Sequence, residues 1–296
     1  MTLGPAEIAH GPMYIGQVFN TTLFGILSGQ VYWYSVTSTR KDPAWIQILV
    51  YALYLVNVIS TVFVIVYLYD AVIQHFDDPA YLTKATWVFA IGAPLTGVTA
   101  ALCQSFFAWR IQTLTKNTIA AVVVGLATVI GLTGSISSAA HVPRFPRFTE
   151  FMHFKASVLT WLFGQIAADV IITTVLVIYL QRHRTGFQKT DQLINRIIQI
   201  TIQTGLITTL CAMADAVCFL ASTSGIHLIF NFSLGKLYSV ALMSNLNARA
   251  SWSHSSDSRD GEAQLFLESP GLRFRGGTAC SDVPTVCSGG ENASKV

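Results

Sequence analysis

Charge is what this 296-residue chain has least of: Asp, Glu, Lys and Arg together make up 11% of it, against about 25% in an ordinary soluble domain. So little charge cannot coat a water-facing surface. The basic residues stand at the ends of apolar segments rather than in a patch, which leaves nucleic-acid binding without support. Five cysteines are scattered at 103, 211, 218, 280 and 287, and no outer loop holds a pair, so a disulfide scaffold is excluded. The seven histidines show no His-x-x-x-His or His-Glu-x-x-His spacing, and no nucleophile or nucleotide-binding motif is present. No catalytic residue, cofactor or metal site is therefore assigned, and an enzyme is not expected. Residues 1–12 contain no Lys or Arg, so the first apolar segment reads as a span that stays rather than a cleaved signal peptide.

What the chain has in abundance is long apolar sequence, with 52% hydrophobic residues. A hydrocarbon layer about 30 Å thick takes roughly 20 apolar residues at 1.5 Å rise each. Seven windows meet that length: 13–36, 45–69, 85–109, 118–142, 156–180, 197–222 and 226–246. Barrel strands are shorter and alternate. In lipid a helix satisfies its own N–H and C=O groups, so the expected fold is all-α, a polytopic bundle of seven transmembrane helices. Aromatic rings at Tyr32, Trp33, Tyr34, Trp45, Tyr67, Tyr69, Trp87 and Trp109 mark headgroup levels.

Basic residues in the connections set the orientation. One side would carry Arg40, Lys41, Arg110, Lys116, Arg182, Arg184, Lys189, Arg196 and Arg249, nine in all; the other carries Lys84, Arg144, Arg147 and Lys155, which is four. The positive-inside bias then places the N-terminus outside and the C-terminus in the cytosol. The domain plan is an extracellular segment 1–12, a membrane domain 13–246 and a tail 247–296. The tail has nine Ser and six Gly in fifty residues, a composition that reads as disordered. The Asn-x-Ser/Thr triplets at Asn20 and Asn231 fall inside spans, and that at Asn292 falls on the cytosolic side.

A charge in hydrocarbon costs at least about 2.5–3.5 kcal/mol, so intramembrane charges need a reason. Asp169, Asp215 and Lys236 are the three. At about 1.5 Å per residue they lie roughly 20, 10 and 15 Å deep, levels at which they can meet. The expectation is a pocket for a ligand or ion in which Lys236 pairs with one or both carboxylates, set against a structural ion pair that locks the fifth, sixth and seventh helices together. Gln17, Asn20, Gln30, Asn57, Gln104, Gln165, Gln199, Gln203, Asn231 and Asn245 are expected to line the same interior, mostly as interhelical hydrogen bonds. Pro94 removes a donor from the carbonyl of Ala90 and predicts a kink there. Gly131, Gly134, Ser135 and Ser138 predict a face of close helix packing.

Known seven-helix classes differ in residues that can be checked. A retinal protein needs an acid on the third helix to partner the lysine of the seventh, and 85–109 has none. Rhodopsin-like receptors end the third helix in an acidic-Arg-aromatic triplet, where this chain has Phe106-Phe107-Ala108-Trp109-Arg110, and its seventh span lacks proline.

Four stretches carry a closer likeness: DPAWIQILV from Asp42, ATWVFAIGAPLTGVTAALCQSFFAWRI from Ala85, TDQLINRIIQITIQTGLITT from Thr190 and LGKLYSVALMSNLNAR from Leu234. With these the chain resembles, over roughly residues 13–250, a family of basidiomycete fungal multi-pass membrane proteins known only as a domain of unknown function. Asp169, Asp191, Arg196, Lys236, Tyr238, Asn247 and Arg249 fit its pattern. Val240 and Ala241 stand where Asn and a small hydroxyl residue are usual, and Gln203 where Glu is common. The resemblance implies a seven-helix, N-outside membrane protein and brings no ligand, substrate or catalytic residue.

The expected function is receptor-like or sensor-like, at the plasma membrane, with the polar pocket at Asp169, Asp215 and Lys236. The alternative is a transporter or channel using the same charges as a substrate or proton path. Expected partners are the lipid bilayer, an unidentified small ligand or ion, and a cytosolic protein on the face formed by Arg110 and the segment from Arg182 to Arg196.

Overall fold

A computed structural model describes residues 5–37, 42–75, 78–144, 154–182, 188–221 and 225–268. The chain divides into two units, residues 1–254 and 255–296, and the helix packing and polar contacts lie in the first. Seven helices of 24 residues or more run through the described residues: α1 (Pro5–Thr37), α2 (Ala44–Tyr69), α3 (Gly92–Thr115), α4 (Thr118–His141), α5 (Lys155–Arg182), α6 (Gln188–Ala221) and α7 (His227–Glu268). No β-strand occurs among these residues. Contacts between neighbours alternate the helix directions. Gly97 and Gln104 of α3 meet Ser135 and Thr128 of α4, Gly131 and Gly134 of α4 meet Gly164 and Trp161 of α5, and Thr201 and Asp215 of α6 meet Asn245 and Asn231 of α7, each pair in reverse order. We call the end where α1, α3, α5 and α7 begin the near end, and the opposite one the far end.

Five stretches are long and apolar enough to cross a membrane: Ala44–Gln74, Trp87–Thr115, Thr118–His141, Lys155–Arg182 and Ile194–Ala221. α1 and α7 are not among them, and for α7 the reason is where it sits. No described side chain of α7 between 227 and 248 is exposed. A helix walled in by protein needs no apolar coat, so α7 carries Asn231, Lys236 and Asn245 in its middle. α1 has the same kind of content at Gln17 and Asn20, both buried.

The peripheral helices are inverted relative to a water-soluble bundle. Leu55, Ile59, Val62 and Ile65 of α2, Val122, Leu126 and Val129 of α4, and Leu206, Leu210 and Val217 of α6 are exposed. Asn57, Gln104, Thr128, Gln165, Asp169, Thr208, Asp215, Lys236 and Asn245 are buried. Apolar surface of this extent on every outer helix is stable only against another apolar phase.

Two local readings meet the structure directly. The third span is broken at Ile91: a short helix, Trp87–Ala90, precedes α3, and the interruption falls where Pro94 has no N–H for the Ala90 carbonyl. The glycine face of α4 packs backbone to backbone on α5. A Cβ on Gly134 would lie 2.6 Å from Trp161 N, and one on Gly164 would lie 2.8 Å from Gly131 N. Gly16 gives α1 the same closeness to α7, 2.9 Å from the carbonyl oxygen of Leu228. At Asn247 the composition changes but the helix does not end: α7 is continuous to Glu268, where a disordered tail reads from composition. Residues 269–296 lie outside the described residues.

The end of α2 is closed by a π-helical turn, Asp70–Gln74. Asp70 accepts a hydrogen bond from Tyr81, and His75 stacks on Tyr81 with ring centroids 3.9 Å apart. The Asp70 carboxylate beside it pushes the Tyr81 phenol up to about 12. At the far end Trp45 and Trp109 meet edge to face at 4.5 Å, which puts the start of α2 and the end of α3 at one level.

Because the atoms facing Gly134 and Gly164 belong to backbone, Gly134→Ala and Gly164→Ala each force α4 and α5 apart, at a cost of about 1–3 kcal/mol. Gly125 has no atom within 4 Å of an added Cβ, so Gly125→Ala is neutral or mildly stabilising. Thermal unfolding midpoints of the three variants in one detergent check the contrast.

Candidate functional site

The three buried charges occupy separate surroundings, joined through α7. Asp169 of α5 is the centre of the first. Its carboxylate accepts from Thr208 Oγ1 at 2.8 Å, from Tyr238 Oη at 3.0 Å and from Gln104 Nε2 at 3.1 Å. The carbonyl oxygen of the Gln104 amide in turn accepts from Thr128 Oγ1 at 3.0 Å. One acid therefore ties α3, α5, α6 and α7 directly, and α4 through one intermediate. Hydrogen bonds to a charged acceptor are the strong kind, and here they replace the hydration a carboxylate loses on burial. A cavity of about 30 Å³ lies beside this cluster, lined by Gln104, Asp169, Thr201, Thr204, Thr208, Tyr238 and Ala241 among others. It is large enough for a water molecule or two.

Lys236 sits elsewhere. It is 1% exposed, donates 3.0 Å to the backbone oxygen of Asn57, and has its ammonium 5.9 Å from the centroid of the Phe24 ring. Asn57 donates to Ser239 at 2.7 Å, Thr61 donates to the Asn57 carbonyl at 2.9 Å, and Asn20 reaches the carbonyl of Phe232 at 2.6 Å. These contacts join α1, α2 and α7.

Asp215 of α6 is 1% exposed. One oxygen accepts from Asn231 Nδ2 at 3.0 Å, and the other has no partner among the described residues. The paired arrangement expected for Lys236 is thus not formed: among the described residues the lysine makes an ion pair with neither carboxylate. Lys236 and Asp215 leave the same helix pair on different sides, the lysine toward α1 and α2 and the acid toward the near end of α7. Sequence depth alone carries no such angular information.

Of the softer polar positions, Gln104, Asn57, Asn231, Asn20, Gln30 and Asn245 do build the interior. Gln30 donates to Ser244 at 3.0 Å, and Thr201 donates to Asn245 at 3.1 Å. Gln199 and Gln203 do not: both are exposed, because the buried face of α6 runs through Ile197, Ile198, Thr201 and Thr208. Arg110, expected on an open far-end face, instead reaches Asn245 at 3.4 Å. The sequence reading missed Thr208, Thr128, Tyr238 and Ser239 as partners. Hydroxyls in apolar helices are ordinary, and only the identity of a neighbour makes one functional. Asp191 and Arg249 have side chains outside the described residues.

Residues 165–251 match a family of unknown function (DUF6534), a stretch that runs from Gln165 in α5 into α7 and holds all three charges. No curated protein matches, and no solved structure matches. With five helices long and apolar enough to cross a membrane, polar groups inside and apolar groups outside, the chain is an integral membrane protein of unknown molecular function.

A buried ion pair that loses one partner costs about 3–5 kcal/mol, whereas a lone charge in an apolar interior is itself a cost of at least about 2.5–3.5 kcal/mol, which an apolar side chain of like volume removes. Lys236→Met therefore leaves the unfolding midpoint unchanged or raises it, and combines additively with Asp215→Asn to within about 0.5 kcal/mol. Tyr238→Phe, which takes a donor from Asp169, lowers stability by about 1–3 kcal/mol. A double-mutant cycle read by thermal unfolding distinguishes these cases.

Proposed function

We propose that this chain is a receptor-like or sensor-like seven-helix protein of the plasma membrane, with its N-terminus outside, in which α7 relays the state of the near end to the far end. The observation that carries the reading is the burial of α7 together with its bonding. It is hydrogen-bonded to α1 (Asn20–Phe232, Gln30–Ser244), α2 (Lys236–Asn57), α3 (Arg110–Asn245), α5 (Tyr238–Asp169) and α6 (Asn231–Asp215, Thr201–Asn245). A rod fixed to five neighbours at several depths cannot turn or slide at one end without changing contacts at the other, and discrete hydrogen-bond arrangements are what a two-state element is made of.

The bias of basic residues supports placing the far end in the cytosol, where the exposed Arg196 and the connection before α6 would meet a protein partner. Likeness in the four stretches that begin at Asp42, Ala85, Thr190 and Leu234 supports a basidiomycete fungal origin. The transport alternative draws on Asp169 and the small cavity beside it, but every oxygen of that carboxylate is held by a neighbouring helix, an arrangement better suited to fastening than to passing a substrate.

Asn231→Leu, which removes the partner of Asp215 at the near end, is expected to raise amide hydrogen exchange several-fold in α6 around Thr201, at the far end, with α4 unchanged. A response confined to residues around Asn231 removes the relay. Substrate flux into proteoliposomes that disappears with Asp169→Asn would establish transport instead.

A further inference from the structure

The near end of the bundle contains a second cavity, of about 60 Å³, between the starts of α3, α5 and α7 and the ends of α4 and α6. Among the described residues none that lines it is Asp, Glu, Lys or Arg, and five are Phe or Trp: Phe89, Phe154, Trp161, Phe219 and Phe232. Two lining side chains carry buried polar atoms that have no partner among the described residues, Trp161 Nε1 and His227 Nδ1. Trp161 is 2% exposed, and its place is fixed, because its backbone lies against Gly134. His227 stands edge-on to Phe219 at 5.1 Å between centroids. Asn231, also on the wall, donates its amide N–H to Asp215.

A buried donor left unmade is costly, and native structures keep few of them without cause. Water answers the need poorly here. The space holds on the order of four waters, and each ordered water wants two to four polar partners, while the largely aromatic wall offers only a few polar groups: the two unpartnered side-chain atoms, the Ser138 hydroxyl, the Asn231 amide and the Ala90 carbonyl that Pro94 leaves without a donor. An indole N–H only donates, so whatever fills the space must accept; a neutral imidazole either donates or accepts according to tautomer. A charged ligand has no counter-ion on the wall.

We propose that this cavity is a binding site for a small, uncharged, mainly apolar molecule that presents one ketone or hydroxyl oxygen to the indole N–H of Trp161 and the ring nitrogen of His227. The proposal names the ligand class for the sensor reading and rests on that reading for its biological meaning, though not for the binding itself. Asn231 and Leu228, both on the wall, are the first turns of α7, so an occupant touches the relay helix directly.

The test uses the full chain in detergent and a photoreactive probe, an aliphatic ketone bearing a diazirine, with labelled peptides mapped by mass spectrometry. Labelling is expected at 89–93, 138–142, 154–161 and 219–232, displaced by cyclohexanone and at least tenfold less well by cyclohexane. Trp161→Phe keeps the ring and removes the donor, and is expected to weaken probe binding about tenfold. Ala139→Phe, which fills the space, is expected to abolish labelling. His227→Phe gives the same reading as Trp161→Phe should the latter fail to fold. Equal displacement by ketone and hydrocarbon, or labelling that ignores all three substitutions, overturns the proposal. Specific labelling without any change in far-end hydrogen exchange keeps the site and removes the relay; a far-end response to Asn231→Leu without specific labelling does the reverse.

Discussion

Water is absent from most of the surroundings of this chain, and that constraint governs everything inside it. Each polar group buried in the bundle has to be answered by another part of the same molecule. The answer is concentrated on one helix. α7 is covered on all sides from 227 to 248 and places Asn231, Lys236, Tyr238, Ser239 and Asn245 against different neighbours. A helix facing lipid could not hold a lysine in its centre, and a helix without polar groups could not hold five neighbours in a fixed order. The weak apolarity that separates α7 from the five membrane-length stretches is the mark of its position as the axis.

That constraint also explains the division of labour between the two kinds of contact. Packing between α4 and α5 is set by Gly131, Gly134 and Gly164 at backbone distance, which fixes separation but not which layer of one helix faces which layer of the next. Register comes from the polar layers: Asp169 with Thr208, Gln104 and Tyr238 at one depth, and Asn57 with Lys236 and Ser239 at another. Van der Waals contact is strong in sum and almost indifferent to which methyl group meets which. Hydrogen bonds in a low-dielectric interior are few and exacting.

The architecture was legible in the sequence wherever length and composition decide it. Five of the seven apolar windows, the break at Pro94 and the tight α4 face follow from one-dimensional rules that hold without neighbours. The site was legible only in part. That Asp169, Asp215 and Lys236 would be buried followed from their place in the spans; that Lys236 would choose a backbone carbonyl over a carboxylate did not. Depth along a helix can be counted, but the direction in which a side chain leaves depends on how each helix is rotated, and rotation is fixed by packing. Gln199 and Gln203 show the same limit from the other side, exposed beside a buried face that residue counting alone does not resolve. Trp161 gave no signal, since an aromatic residue in an apolar span is ordinary until its polar atom is found without a partner, and His227 stood out only as one of several scattered histidines on the predicted outer side.

Satisfied and unsatisfied groups are distributed unequally along the axis, and the inequality gives the molecule a direction. Around Asp169, in the middle, both carboxylate oxygens are held, and toward the far end Thr201 and Arg110 converge on Asn245. At the near end Trp161 Nε1, His227 Nδ1 and one oxygen of Asp215 are left over among the described residues, while the unmet Gln165 Oε1 in the middle and Gln30 Oε1 and Asn247 Oδ1 toward the far end are amide oxygens on residues already bonded through another atom. A closed network resists change, because breaking one bond leaves a buried group exposed to nothing; an open end gains from any molecule that completes it. The unmet near-end groups lie next to Asn231, which is the point where the open end joins the closed network. On the relay reading, completing them is a local event that the bonding of α7 would carry along the bundle.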